Sequence, residues 1–98
     1  MLKQNNMTKV KNMESKRGNT VANQFIIETD TGIFFQSYST IIAKKQFFTG
    51  GESKIILDIN NWNYSKTTSK YRNIFLNEDT ATTKNKIASG EYILADLN

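Results

Sequence analysis

The segment VANQFIIETDTGIFFQSY, residues 21–38, decides the fold, because it holds two runs of β-branched and aromatic residues separated by a short polar segment. Such runs are typical of β-strands. The Asp30-Thr31-Gly32 segment between them predicts a tight turn in which Gly32 supplies a positive φ. Side chains alternate between the faces of a strand, which places Phe25, Ile27 and Thr29 on one face of the first strand and Gln24, Ile26 and Glu28 on the other.

Two more strands are predicted on the C-terminal side of this hairpin. STIIAKKQFF, residues 39–48, has the composition of a third strand, and TGGES, residues 49–53, has that of a loop. KIILDI, residues 54–59, predicts a fourth strand with aliphatic side chains on both faces.

The second half of the chain has the pattern of helices. SKTTSKYRNIFLNE, residues 65–78, begins with hydroxyl side chains suited to an N-cap and continues with apolar residues spaced for one helix face. EDTATTKNKIASG, residues 78–90, predicts a second helix capped by Asp79 or Thr80 and stopped by Gly90. EYILADL, residues 91–97, predicts a closing strand. The order of four strands, two short helices and one strand predicts an α+β fold, in which helices pack on one face of a small antiparallel sheet.

Composition excludes several kinds of chemistry. The 98 residues contain no cysteine and no histidine, which removes disulfides, thiol nucleophiles, imidazole bases and the usual zinc sites. The remaining carboxylates form no sequence pattern that suggests a general acid–base pair. We therefore expect a protein that is not an enzyme and needs no cofactor or metal ion.

Hydropathy predicts the cellular location. No apolar run approaches the roughly 18 residues that a membrane span requires, and the N-terminus has no apolar run of signal-peptide length. We expect a cytoplasmic protein with no membrane partner.

Basic residues are concentrated near the N-terminus. Residues 1–20 contain five Lys or Arg and one Glu, a net charge of +4, whereas residues 21–98 contain eight basic and eight acidic residues. Because residues 1–20 also contain few apolar side chains, they predict a flexible basic tail in front of a single α+β domain at residues 21–98. The tail is a candidate contact for nucleic-acid phosphates through Lys9, Lys11, Lys16 and Arg17.

The segment WNYSKTTSKYRNIFL, residues 62–76, has two interpretations. The first is a capped helix that buries its apolar stripe and exposes its charges. The second is an anion-binding site, because free N–H groups at a helix N-terminus attract negative charge. We expect a combination, in which Trp62, Tyr71, Ile74 and Phe75 belong to the core. The partner would then bind residues on the other side of the helix, namely Lys66, Thr67, Thr68, Lys70 and Arg72.

Three segments resemble a family of small proteins of unknown function that are encoded by bacteriophages and related mobile elements. These segments are NQFIIETDTGIFFQSYSTIIA, WNYSKTTSKYRNIFL and KIASGEYIL, and the resemblance covers about residues 23–98. Its most specific parts are Phe35-Gln36-Ser37-Tyr38 and the aromatic, hydroxyl and basic positions between Trp62 and Arg72. The resemblance implies a phage or mobile-element setting and supplies no catalytic residues.

These observations favour a non-enzymatic accessory protein that binds and occupies a host protein or nucleoprotein complex. The sharpest form of this hypothesis is an inhibitor of a host defence component, of the anti-CRISPR kind. The alternative is a nucleic-acid-binding or virion-associated accessory protein that uses the basic tail. Either function would be exercised in the host cytoplasm, and the oligomeric state is left open by the sequence.

Overall fold

The computed structural model describes residues 8–98. In chain order its elements are β1 (Lys9–Glu14), β2 (Thr20–Glu28), β3 (Gly32–Ser37), β4 (Thr40–Phe47), β5 (Ser53–Asp58), α1 (Lys66–Leu76), α2 (Thr80–Ala88) and β6 (Ile93–Ala95). The fold is α+β, as the sequence predicted, and every predicted strand and helix is present. Neither of the helices described in residues 8–98 is long and apolar enough to cross a membrane.

The six strands form one sheet in the order β1-β2-β3-β4-β5-β6. Neighbouring strands from β1 to β5 are antiparallel, but β6 lies parallel to β5. The sheet is therefore mixed, and the prediction of a purely antiparallel sheet is wrong at its last strand. The reason is that the chain crosses over the sheet through α1 and α2 before β6, and a long crossover of this kind can return a strand in the parallel direction.

A strand that the sequence did not predict lies at the other edge. Lys9–Glu14 pairs with β2, and a short turn in which the Ser15 N–H bonds the Asn19 carbonyl at 2.8 Å connects the two. The prediction of a flexible tail over residues 1–20 is thus wrong for β1 and its turn, and residues 1–7 of that tail lie outside the described residues. Edge pairing uses backbone groups, and of the β1 side chains only Met13 is buried, so a largely polar strand can form there without an apolar pattern.

The helices cover one face of the sheet. A row of directly opposite residues on that face crosses from β2 to β6 and consists of Ile26, Phe35, Ala43, Leu57 and Leu94. The Phe35 ring stacks on Phe75 of α1 with centroids 5.9 Å apart, and Met13, on the same face of β1 as Lys9 and Lys11, is buried in this core. Trp62, Tyr71, Ile74 and Phe75 all belong to this cluster, fully or in part, as predicted.

The hairpin turn forms between β2 and β3, but Gly32 has a different role from the predicted one. The Thr29 N–H bonds the Gly32 carbonyl at 2.9 Å, and the Thr29 hydroxyl accepts the Gly32 N–H at 3.1 Å. Gly32 is not among the residues with positive φ. A Cβ added there would lie 2.5 Å from the backbone oxygen of Lys45, so the glycine allows β3 and β4 to approach closely.

Both helices begin at predicted capping residues. The Ser65 hydroxyl accepts the Thr68 N–H at 3.1 Å, and the Asp79 carboxylate accepts the Thr82 N–H at 2.7 Å. These bonds satisfy amide groups that have no partner inside the helix. Gly90 follows α2 with φ of +83°, as expected of a glycine stop.

Candidate binding surfaces

Arg72, which the sequence placed on a partner-facing surface, is fully buried. Its guanidinium donates to the Trp62 carbonyl at 2.6 Å and to Asn63 Oδ1 at 3.1 Å on one side. On the other side it donates to Asn73 Oδ1 at 2.9 Å and to the Thr80 hydroxyl at 2.8 Å. The prediction for Arg72 is wrong, because carbonyl, amide and hydroxyl oxygens from three segments form a polar pocket that accepts the charge.

The electrostatic environment of Arg72 reflects its burial. Burial lowers its pKa, and the negative charge of Glu78 opposes that effect. The guanidinium also lies 5.1 Å from the centre of the Trp62 ring, which gives a cation–π interaction. Arg72 therefore joins the Trp62–Asn63 loop, α1 and the start of α2.

Thr68 is likewise unavailable to a ligand. It is buried, and its hydroxyl lies 3.0 Å from the hydroxyl of Ser37 on β3. The prediction that Thr68 binds a partner is therefore wrong, since α1 turns this side chain toward the sheet. Lys66, Thr67 and Lys70 of the same predicted group are exposed.

The four predicted basic contacts near the N-terminus are exposed. Lys9 and Lys11 alternate with Val10 along β1, and the register places them opposite Glu28 and Ile26 on the helix-covered side of the sheet. Lys16 and Arg17 occupy the turn that follows. Lys16 and Lys70 line one shallow depression beside Glu78. In this depression, within residues 8–98, a predicted cation of the N-terminal region lies near a predicted cation of α1.

The opposite face of the sheet carries no helix, and we call it the open face. One row of directly opposite residues crosses all six strands on this face: Val10, Ile27, Phe34, Lys44, Ile56 and Ile93. Five of the six are apolar, and the row ends are the most exposed, at 61% for Val10 and 42% for Ile93. The ammonium of Lys44 lies 5.0 Å over the Phe34 ring. A largely apolar row open to water, here interrupted by Lys44, is typical of a contact surface.

A second row on the open face contains one aromatic ring, two side-chain amides and one isoleucine. Asn12, Phe25, Gln36 and Ile41 lie opposite one another across β1 to β4. Among the described strand positions of this face the charged residues are Glu14, Lys44, Lys54 and Asp58. Asp58 is buried and accepts bonds from the Leu97 N–H and the Asn61 amide, both at 2.7 Å. With Lys44 and Lys54 against the exposed Glu14, the net charge that the open face offers to a partner is positive.

Sequence reasoning missed the open face as a unit. Alternation did place Phe25 and Ile27 together and opposite to Ile26, which was a usable signal. The pattern of a strand with apolar residues on both faces cannot show which face the helices cover, because that depends on the crossover after β5.

Glu78 is the centre of a second polar cluster, which lies beneath the start of α2. Its carboxylate accepts bonds from Lys86 Nζ and the Tyr92 hydroxyl, both at 2.8 Å, and from the Thr83 hydroxyl at 2.6 Å. Burial raises the pKa of Glu78, but these bonds outweigh that effect and hold the pKa below its ordinary value. The same contact raises the pKa of Lys86 to about 12. The cluster ties α2 to β6, so its role is structural.

Glu78→Gln is expected to lower the free energy of unfolding at neutral pH by about 1–3 kcal/mol, because glutamine has no negative charge to pair with the Lys86 ammonium. Since the folded-state pKa is depressed, the stabilisation is complete above the ordinary pKa of 4.5 and is lost as the pH falls through the folded-state pKa. Urea unfolding at a series of pH values should show the difference from wild type shrinking in acid. The exposed Glu91→Gln is the matched control, and a difference that stays constant across the acid range would contradict the assignment.

Comparison with known proteins places this fold in a family. A model described as a family of unknown function (DUF8033) matches residues 8–91. The match includes β1, which the sequence resemblance left out. No curated protein matches the chain, and no solved structure does. Because the family model covers the chain from β1 through α2, the protein belongs to this family of unknown function.

Proposed function

We propose that the protein is a non-enzymatic binding protein, which acts by covering part of a host protein or nucleoprotein complex with its open face. The observation that carries the proposal is the apolar row from Val10 to Ile93, which crosses six strands without a helix over it. Burying such a row against a partner would be favourable by about 25 cal/mol for each Å² of apolar surface.

Two features support binding rather than catalysis. The chain has no histidine or cysteine. The two buried carboxylates, Asp58 and Glu78, are engaged in bonds that hold loops and helices together. A general acid or base needs instead to reach a substrate.

The setting that we propose is a bacteriophage or related mobile element, and the partner a cytoplasmic component of host defence. The support for this setting is the sequence resemblance of residues 23–98. A small domain with a preformed contact face suits inhibition by occupation, since a pre-organised surface loses little entropy on binding.

The experiment is affinity capture from a host lysate with two matched variants. Combining Val10→Ser with Ile93→Ser removes the exposed ends of the row and should lower capture of the partner at least tenfold. Ile59→Ser is the control, because Ile59 is an isoleucine of similar exposure, 52%, outside the row. Equal loss in the control, or unchanged capture by the open-face variant, would contradict the proposal.

A competing site on α1 is tested in the same experiment. Lys66→Glu with Lys70→Glu reverses the exposed charges of that helix while leaving Arg72 in place. If this variant alone loses capture, the contact surface is α1 and not the open face.

A second candidate function is polyanion binding through the β1 region. The observation that favours it is the exposure of Lys9, Lys11, Lys16 and Arg17 within one strand and its turn. Such binding would be insensitive to nucleotide sequence and would weaken steeply with salt.

A further inference from the structure

We propose that the open face binds single-stranded nucleic acid. The inference rests on the proposed function, because it names the chemical class that the same face recognises. The ligand is an unpaired strand, either free or held within a nucleoprotein complex.

The first argument is the placement of two aromatic rings. Phe25 is opposite Gln36 and Phe34 is opposite Ile27 on adjacent strands, so the two phenylalanines are diagonal neighbours on one face. Diagonal neighbours in a sheet lie about 7–8 Å apart, which lets each ring meet a different base. Stacking of unpaired bases on aromatic side chains is the common means by which small β-sheet proteins hold a single strand.

The second argument is charge. The ammonium of Lys44 lies 5.0 Å over Phe34, so a base that stacks beside this ring has a cation within reach of its phosphate. Lys54 lies on the same face two positions from Ile56, opposite Gln46. Asp58 is buried and bonded, so the exposed carboxylate among the described strand positions of this face is that of Glu14, which lies at the β1 edge, away from Lys44 and Lys54 on β4 and β5.

The same charges argue against a second copy of this chain as the occupant. Two open faces packed together would bring Lys44 and its symmetry mate into an apolar interface, whereas the exposed carboxylate of this face, Glu14, lies at its β1 edge. Burying unpaired charges is strongly unfavourable. An anionic ligand removes this penalty, because its phosphates supply the missing partner.

The third argument is the set of amides beside Phe25. The Asn12 and Gln36 side chains lie on either side of it in the second row. Each donates its amide N–H to the backbone, Asn12 to the Val21 carbonyl at 2.9 Å and Gln36 to the Tyr38 carbonyl at 2.7 Å. Their carbonyl oxygens are thereby oriented, and such oxygens accept hydrogen bonds from the edges of unpaired bases.

The geometry selects a single strand over a duplex. Six strands spaced about 4.8 Å apart give a platform about 24 Å wide. This suits a site at the short end of the range for β-sheet proteins, about four nucleotides. In a duplex the base faces are stacked on one another, so a flat platform cannot reach them.

The test is fluorescence anisotropy with a labelled 12-nucleotide oligothymidylate at low salt, with a 12-base-pair duplex and an oligouridylate of equal length as parallel probes. The oligothymidylate should bind at least tenfold more tightly than the duplex. Combining Phe25→Leu with Phe34→Leu should weaken binding tenfold or more, because leucine retains apolar volume but cannot stack. Thermal melting of each variant checks that it folds.

A pair of adjacent lysines provides the charge control. Lys44→Gln should weaken binding severalfold and reduce the slope of log affinity against log salt by about 0.7. Lys45→Gln should leave binding within twofold, since Lys45 is exposed on the opposite face. Equal effects of the two lysine variants, or equal binding of duplex and single strand, would overturn the proposal.

Oligonucleotide binding and capture from nuclease-treated lysate together distinguish this inference from the proposed function. Absence of oligonucleotide binding, together with open-face-dependent capture of a host protein from nuclease-treated lysate, overturns the inference and leaves the proposed function standing. Strand binding that the phenylalanine variants do not alter overturns the assignment of the open face. A preference for oligouridylate over oligothymidylate supports the inference and identifies the strand as RNA.

Discussion

Arg72→Ala is expected to lower the free energy of unfolding by about 3 kcal/mol or more, one of the two largest effects of any single substitution proposed for this protein. The truncation removes the guanidinium that donates to the Trp62 carbonyl and to Asn73 Oδ1, and each buried polar group left unpaired costs about 1–3 kcal/mol. It also removes the guanidinium from beside the Trp62 ring. A domain of this size has a total stability of only about 5–15 kcal/mol.

Urea unfolding followed by Trp62 fluorescence and circular dichroism measures this effect. The exposed Arg17→Ala is the matched control and should stay within about 0.5 kcal/mol of wild type. Arg72→Lys should be intermediate, because lysine keeps the charge but cannot bond both sides of the pocket at once. Equal stability of the Arg72 and Arg17 variants would mean that the buried network does not form.

Burial of Arg72 also determines which tests of α1 can be interpreted. Reversing Arg72 to Glu together with Lys66 and Lys70 would place a carboxylate among carbonyl oxygens and unfold the domain. Loss of binding would then follow from unfolding and would not identify a contact face. Only the exposed lysines of α1 can be reversed while the fold is retained.

Phe35→Ala is expected to destabilise the protein by about 3–5 kcal/mol. Phe35 is fully buried at the centre of the helix-covered row, between Ile26 and Ala43, and stacks on Phe75. Alanine would leave a cavity between the sheet and α1 that the neighbouring strands cannot close without moving the backbone.

Thermal melting and the dispersion of amide resonances in an NMR spectrum report this loss. Phe48→Ala provides the control, because Phe48 is 49% exposed and its removal should change stability by about 0.5 kcal/mol. A Phe35 variant that melts like the Phe48 variant would show that the helices do not pack on this face.

Local signals predicted much of this fold. The runs of apolar residues predicted β2 to β5, and the capping side chains of Ser65 and Asp79 predicted where the two helices begin. These features depend on residues close in sequence. They are therefore present in the pattern before any tertiary contact forms.

Features that depend on distant partners were not predicted. β1 is held by backbone pairing with β2 and by the buried Met13, and its otherwise polar sequence has no apolar alternation that predicts a strand. Arg72 is buried because Trp62, Asn63 and Thr80 supply its acceptors, and only the folded chain brings these residues together. Gly32 has a tertiary role for the same reason, since its constraint is the Lys45 carbonyl on the next strand.

The open face shows the same division between local and tertiary information. The sequence correctly separated Ile26 from Phe25 and Ile27, but the helices decide which of those sets becomes core. The contact residues on α1 were predicted from helix spacing and charge. This failed for Arg72 because carbonyl, amide and hydroxyl oxygens of neighbouring segments accept its guanidinium inside the fold.

The parallel pairing of β6 with β5 has a consequence for the order of folding. Strands β1 to β5 form successive hairpins, each of which closes a short loop. The contact between Ile56 and Ile93 instead closes the long segment that contains both helices. Closing so long a segment carries a larger entropic barrier. The last strand should therefore dock late, so that a chain emerging from the ribosome holds a nearly complete meander before its final edge is sealed.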